Sequence, residues 1–174
     1  ISFSIKEGEA YYMSLPKDKK DATKQLSVFK EILEDKQIEK IGQNLKYDIH
    51  ILLQYGIHVK DNIFDTMLAH YLLEPDGRHN MDSLARTYLN YEPVSIESLI
   101  GKKGKNQLSF SQVDTEKQVE YGAEDADITF QLAQKFRPLL AENNLSEILN
   151  TIELPLVNVL TMMEEEGINL DVRF

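Results

Sequence analysis

The chain has 174 residues, with 29 acidic side chains, 19 lysines and arginines, and a formal net charge of −10. This acidic excess disfavours diffuse binding to nucleic acid, so any such contact must be local, through cations in a cleft or bound metal ions. The absence of cysteine excludes disulfides, thiolate metal sites and a cysteine nucleophile. No stretch approaches the roughly 18 consecutive apolar residues of a membrane span.

The hydrophobic pattern predicts a mixed sheet flanked by helices. Residues 1–5 alternate between apolar and polar, and with the run at 10–15 they predict an antiparallel hairpin. The elements predicted after the hairpin are, in chain order, a helix over 21–34, a strand over 38–42, a helix over 45–55, a strand at 57–59 and 63–64, helices over 66–73, 81–89 and 96–100, a long helix over 115–140 that Pro138 bends or shortens, and a final helix over 145–165. Asn44, Asp65 and Asp114 are the expected helix N-caps. This order predicts an α/β fold.

One candidate site is the segment 42–48, with the sequence GQNLKYD, where a strand passes into a helix. Proteins of the α/β class place ligands at this edge of the sheet. Asn44 and Asp48 are four residues apart and share a helical face, so Asp48 is a candidate metal ligand. Spacing alone favours the alternative of a helix cap and an ordinary acid in the first turn.

A second candidate site is the segment 121–127, with the sequence YGAEDAD, in the long helix. Tyr121 and Asp125 share a face, and the small residues Gly122, Ala123 and Ala126 let the helix approach another backbone closely. A phenol beside a metal-ligating carboxylate suits hydrolysis. The alternative is a half-buried tyrosine beside a solvated run of acids.

Two loops are candidates for contacts with phosphate. Arg78 and His79 could bind a phosphate; the alternative is a capped helix start in which His79 is a structural hydrogen-bonding residue. The basic loop that contains Lys105 could contact a nucleic-acid backbone; the alternative is a solvated surface loop.

Together these segments closely resemble the 3′–5′ proofreading exonuclease domain of bacterial family A DNA polymerases. The segment 42–48 resembles its second exonuclease motif, and 121–125 resembles its third, of the Y-x-x-x-D type. Further segments resemble the family in the same order, namely 64–68, 77–85 and 104–108, with 152–157 and 166–168 resembling the start of the polymerase domain. The resemblance implies an exonuclease-like domain over 1–144 and the beginning of a polymerase domain over 145–174.

The resemblance implies a ribonuclease-H-like fold and hydrolysis of the 3′-terminal phosphodiester of single-stranded DNA with two Mg²⁺ or Mn²⁺ ions. By resemblance, Asp125 binds the ion that activates water, Asp48 binds the second ion, and Tyr121 orients the water. DNA contacts are implied for Gln43, Asn44, Arg78, Ile96 and Lys105. Family members commonly place an aromatic side chain at the position of Ile96, so stacking on the terminal base, worth roughly 1–3 kcal/mol, is expected to be weaker here.

The family's first motif, a D-x-E on a first, central strand upstream of the segment that matches 1–5, is not in the sequence. We therefore expect the first strand and two metal-binding carboxylates to be absent, and the isolated chain to have little exonuclease activity. The strand at 1–5 would then have an unpaired edge, leading to self-association or a groove beside the strand at 38–41.

Three functions are compatible with the sequence. The first is the proofreading module of a bacterial DNA polymerase, with a single-stranded DNA 3′ end and the polymerase domain of the same polypeptide as partners, in the cytoplasm at the nucleoid. The second is a vestigial, non-catalytic module that supports the polymerase domain. The third is a related nuclease that acts on RNA, against which the polymerase-like tail from residue 152 counts.

Overall fold

The computed structural model describes residues 1–171, in which two small sheets lie against one long helix. Strands β1 (Ser2–Lys6) and β2 (Glu9–Tyr12) form an antiparallel hairpin, and β3 (Lys40–Gly42) and β4 (Ile63–Asp65) pair in parallel. The α-helices of these residues are α1 (Lys19–Leu26), α2 (Lys30–Glu34), α3 (Leu45–Leu53), α4 (Thr66–Leu73), α5 (Met81–Leu84), α6 (Ile96–Ile100), α7 (Thr115–Glu142), α8 (Ser146–Ile148) and α9 (Leu154–Glu166). The expected mixed α/β class is confirmed.

Several predicted elements differ from those observed. No strand forms at 57–59, because Ile57 is buried in a small separate core with Leu26 and Leu33. The helix predicted over 81–89 is the short α5 followed by a π-helical segment. Pro138 does not end α7, which continues to Glu142; this position is exposed, so water can bind the carbonyl that loses its helical partner.

The two sheets are not joined to each other. Among the described residues, β1 pairs only with β2, and β3 pairs only with β4. Each sheet therefore has unpaired edges within the described residues. Both sheets contact α7, which holds them in one unit.

The β1–β2 hairpin is fixed to α7 by polar contacts and by one close approach. The Gly8 amide donates to Asp127 Oδ1 at 2.8 Å, and the Tyr12 hydroxyl donates to Gln118 Oε1 at 3.0 Å. A Cβ atom at Gly122 would lie 2.5 Å from the Tyr12 ring. The close approach at Gly122 is therefore to an aromatic side chain and not, as expected, to another backbone.

The main core forms around the second half of α7. Leu132, Ala133 and Phe136 are fully buried there and pack with residues of α3, α4, α5 and α9. Within residues 1–171, no helix has both the length and the apolar character needed to cross a membrane.

Replacement of Gly122 by alanine tests the contact between α7 and the hairpin. We expect Gly122→Ala to lower the free energy of unfolding by about 1–3 kcal/mol, because the new methyl group overlaps the Tyr12 ring. Gly104→Ala is the matched control: no atom lies within 4 Å of its added Cβ, and its effect should stay within about 0.5 kcal/mol. Equal denaturation midpoints for the two variants would contradict the packing described here.

Candidate active site

The Asp65 carboxylate joins the two segments that carry the first candidate site. Its Oδ2 accepts from the Leu45 amide at 2.7 Å, and its Oδ1 accepts from the Asn44 amide at 3.2 Å. The same Oδ1 accepts from the Met67 and Leu68 amides at 2.8 and 3.3 Å. Asp65 therefore caps the N-termini of both α3 and α4, although only 2% of the residue is exposed. Burial raises the pKa of Asp65, and the four backbone hydrogen bonds oppose this rise.

The expected capping role of Asn44 is wrong for its side chain. Asn44 occupies the N-cap position of α3 with a φ of 60°, and its side chain makes no capping hydrogen bond. Asp65, which was predicted to cap only the helix at 66–73, provides the cap instead. The side chain of Asn44 remains exposed, and its contact with DNA stays a prediction.

Asp48 lies in the first turn of α3 with its side chain open to solvent. The loss of surrounding water, and next the charge of Asp65, together raise the pKa of Asp48 to about 6. The amino group of Ile1 opposes this effect. At neutral pH the carboxylate is available, and a nearby cation would stabilise its charged form.

Tyr121 and Asp125 meet on one face of α7, as predicted. The pKa of Asp125 is raised to about 7: burial is the main cause, the hydrogen bond with the Tyr121 hydroxyl opposes it, and the charges of Glu124 and Asp82 add to it. Burial, and next the Asp125 charge, also raise the pKa of Tyr121. Asp125 Oδ1 is buried without a hydrogen-bond partner among the described residues. A buried, unsatisfied carboxylate oxygen is a position where a cation would be stabilised.

The carboxylates of this chain fit part of a divalent-metal site. Asp48 and Asp125 supply hard oxygen atoms, and Asp125 Oδ1 has no hydrogen-bond partner among the described residues. No group of three His, Cys, Asp or Glu side chains within residues 1–171 is arranged to hold a metal ion. The two carboxylates have different charged neighbours. The pKa of Asp48 is affected by Asp65 and the amino terminus, whereas that of Asp125 is affected by Glu124 and Asp82.

The segment before α6 is attached to the third motif by Glu124. The Tyr91 hydroxyl donates to Glu124 Oε1 at 2.6 Å, and the Val94 amide donates to Oε2 at 2.9 Å. Ile96, the first residue of α6, is half-buried two residues after Val94. Sequence reasoning missed this role of Glu124, because its partners lie about thirty positions earlier in the chain and no local pattern connects them.

The other predicted DNA contacts differ in how accessible they are. The Gln43 amide is engaged within the protein, donating through Nε2 to the His79 carbonyl at 2.7 Å and accepting from the Thr66 hydroxyl through Oε1. Arg78 and Lys105 are exposed, and within residues 1–171 the side chain of Arg78 makes no hydrogen bond or ion pair. The Arg78 side chain is therefore available to bind an anionic ligand. Gln43 instead links its own loop to the loop that contains His79.

The family of this chain is identified by comparison with known proteins. The sequence profile of a family described as 3′-5′ exonuclease matches residues 1–141. The chain belongs to the 3′–5′ exonuclease domain family of DNA polymerase I. DNA polymerase I of Pseudomonas aeruginosa is 39% identical over 181 residues, covering 98% of this chain and 20% of that protein. The exonuclease chain thus spans a fifth or less of the length of the curated polymerases that it matches.

Solved structures show the same fold. The POL domain of Pol1 from M. smegmatis, in complex with DNA primer-template and dNTP, has a TM-score of 0.69 at 25% identity over 85% of this chain and 22% of that chain. Brucella melitensis NrnC has a TM-score of 0.63 at 19% identity, over 83% of this chain and 68% of that one. The expected ribonuclease-H-like exonuclease fold is confirmed, and exonucleases of this family generally use divalent metal ions.

The raised pKa of Asp125 predicts a pH-dependent cost to stability in metal-free solution. From an unfolded value of about 4, the pKa rises to about 7 on folding. The folded state therefore binds this proton more tightly, and the free energy of unfolding falls as the pH rises from about 4 to 7. Asp125→Asn, which has no such charge, should be more stable than wild type by roughly 1–2 kcal/mol at pH 8 and by much less at pH 5.

Urea denaturation in the presence of a chelator measures this difference. Asp76→Asn, in an exposed loop, is the control for loss of one negative charge. A stability gain for Asp125→Asn that is the same at pH 5 and pH 8 would show that burial of the charge is not its cause.

Proposed function

We propose that this domain removes nucleotides from the 3′ end of single-stranded DNA, as the proofreading module of a bacterial DNA polymerase I. The observation that carries the proposal is the pairing of Tyr121 with Asp125, whose buried Oδ1 has no partner among the described residues. Proofreading places the domain in the cytoplasm at the nucleoid, where the DNA is.

Divalent metal ions, when bound, supply the Lewis acidity that activates water and stabilises the leaving 3′ oxygen. Asp48 and Asp125 are the side chains of this chain that would hold them. Carboxylate oxygens of this kind suit Mg²⁺ or Mn²⁺. Because both carboxylates have raised pKa values, we expect metal affinity to increase with pH up to about 7.

Tyr121 acts through its hydrogen-bonding hydroxyl. Burial and the neighbouring Asp125 raise the pKa of Tyr121 above its ordinary value near 10. The phenol therefore stays protonated at neutral pH, so it donates a hydrogen bond and does not act as a base. Its role is to orient the attacking water beside Asp125.

The strand end is bound by residues at the mouth of this site. Asn44 and Arg78 are exposed, and within residues 1–171 their side chains make no hydrogen bond or ion pair, so they can contact phosphate or sugar oxygens. Ile96 packs against the terminal base, and Lys105 contacts the backbone from the basic loop. Gln43 contributes mainly by holding the neighbouring loops in place.

The last helix supports a second partner, the polymerase domain of the same polypeptide. We assign residues 1–144 to the exonuclease domain and 145–174 to the start of the polymerase domain. Helix α9 packs on α3, where Lys46 and His50 both contact Glu164. Its other side exposes several large apolar residues, namely Ile152 just before the helix, then Leu156, Val159, Met162 and Met163. An apolar patch of this kind is typical of a protein–protein interface.

The vestigial, non-catalytic module is the second candidate. It is favoured by one observation, that residues 1–171 contain no cluster of three metal-ligating side chains. Exonuclease rates of wild type and Asp125→Ala separate the two functions, because a vestigial module would show no hydrolysis that depends on Asp125.

Asp125→Ala in the complete polypeptide should abolish proofreading. Loss of a ligand to the catalytic ion should slow release of 3′ nucleotides from single-stranded DNA by at least about 100-fold, or roughly 3 kcal/mol. Glu120→Ala, at an exposed position of the same helix, is the matched control and should keep wild-type activity. Quenched-flow measurement with Mg²⁺ gives both rates. Wild-type activity in Asp125→Ala would contradict the site.

Tyr121→Phe should lower the exonuclease kcat about tenfold or more while leaving metal affinity nearly unchanged. The hydroxyl orients water, whereas the ring still packs against Phe110, whose centroid lies 5.6 Å away. Mn²⁺ titration and single-turnover kinetics measure the two quantities separately. A loss of Mn²⁺ affinity that accounts for the whole rate decrease would show that Tyr121 serves the metal site and not the water.

A further inference from the structure

The loop that carries Arg78 rests on a buried histidine. His70 lies in α4 and is only 2% exposed. Its Nδ1 atom is 2.7 Å from Nδ1 of His79, the residue that directly follows Arg78. Two ring nitrogens at this distance can share only one proton, so one ring donates and the other accepts. The contact is therefore a directional hydrogen bond.

Gly77, the residue that precedes Arg78, also lies against His70. A Cβ atom at Gly77 would lie 3.0 Å from Cε1 of the His70 ring, so the backbone there approaches the ring closely. The His79 ring also packs edge-on against Tyr71, with centroids 5.6 Å apart. Both neighbours of Arg78 are thus held by contacts with α4.

The same loop is connected to the first candidate site. The His79 carbonyl accepts from Gln43 Nε2 at 2.7 Å, and Gln43 Oε1 accepts from the Thr66 hydroxyl. One continuous chain of contacts therefore runs from His70 through His79 to Gln43. It fixes the backbone beside Arg78 relative to Asn44, which follows Gln43 directly.

The His70 ring is held by aromatic neighbours, whereas the Arg78 side chain is accessible. The His70 ring packs against Tyr88 and Phe136, with centroids 5.4 and 5.7 Å apart. Arg78 borders an open cavity of about 290 Å³ that His70, Ser83 and Thr87 also line. Because the loop backbone is held in place while the guanidinium group stays accessible, less conformational entropy is lost when an anion binds.

We propose that His70 is a positioning residue for DNA binding, which holds the Gly77–Asn80 loop so that Arg78 meets the phosphate backbone of the single strand. The proposal rests on the proposed function, because it assigns Arg78 to the DNA strand. His70 contacts no DNA itself; it acts through His79 and Arg78. Because it shapes binding and not hydrolysis, its loss should change KM and leave kcat nearly unchanged.

Two substitutions in the complete polypeptide test the role of the hydrogen bond. His70→Leu keeps apolar volume but removes the bond, and should raise the KM and the Kd for a single-stranded oligonucleotide about tenfold, with kcat changed less than twofold. His70→Asn places an amide where Nδ1 lies and should recover most of the lost affinity. His79→Phe breaks the same bond from the less buried partner and should give the same increase in KM, which keeps the test valid if His70→Leu fails to fold.

A double-mutant cycle with Arg78→Ala shows whether His70 acts through Arg78. His70→Leu should have no further effect on oligonucleotide affinity once Arg78 is absent. A tenfold loss that persists in the Arg78→Ala background, or a fall in kcat at constant KM, would overturn the proposal. If the wild-type polypeptide digests single strands and His70→Leu and His79→Phe keep its KM, only this inference fails; a wild-type polypeptide without exonuclease activity would contradict the proposed function itself.

Discussion

One buried carboxylate, that of Asp65, holds the first half of the site together. Removing a carboxylate from water is costly, and here the cost is offset by four backbone amides at the positive ends of two helices. Because one side chain caps both helices, the orientation of α3 relative to α4 is fixed. Asp48 on α3 and His70 on α4 take their places from this junction. The charge of Asp65 also raises the pKa of Asp48. Asp65 therefore both positions α3 and makes the Asp48 carboxylate harder to ionise.

The second half of the site is positioned by α7. Its Gly122 lies against Tyr12, which sets the distance between the helix and the β1–β2 hairpin, while Tyr121 and Asp125 lie on a different part of its surface. Raised pKa values at Asp48 and Asp125 show that the folded chain keeps both carboxylates where charge is disfavoured. Such a cost is typical of functional sites, where a bound cation later stabilises the charge.

Local signals in the sequence predicted the local structure well. Helix α4 with its Asp65 cap, helix α6, the hairpin and the shared face of Tyr121 and Asp125 all follow from spacing and capping rules. Contacts between distant segments were not predictable in this way. Asp65 lies 20 positions after the α3 amide that it accepts from, and His70 lies nine positions before His79. The strand expected at 57–59 failed because Ile57 fills a separate core while Val59 packs against the main one, so burial and not pairing determines their conformation.

The central claim is that Asp48 and Asp125 hold divalent cations at the end of a single DNA strand. A crystal structure of the complete polypeptide soaked with Mn²⁺, with anomalous scattering recorded, tests it most directly. The account predicts a strong anomalous peak at about 2.0–2.3 Å from Asp125 Oδ1 and a second within direct or water-mediated reach of Asp48. Anomalous density confined to other acidic surfaces, with Asp125 Oδ1 still without a partner, would contradict it.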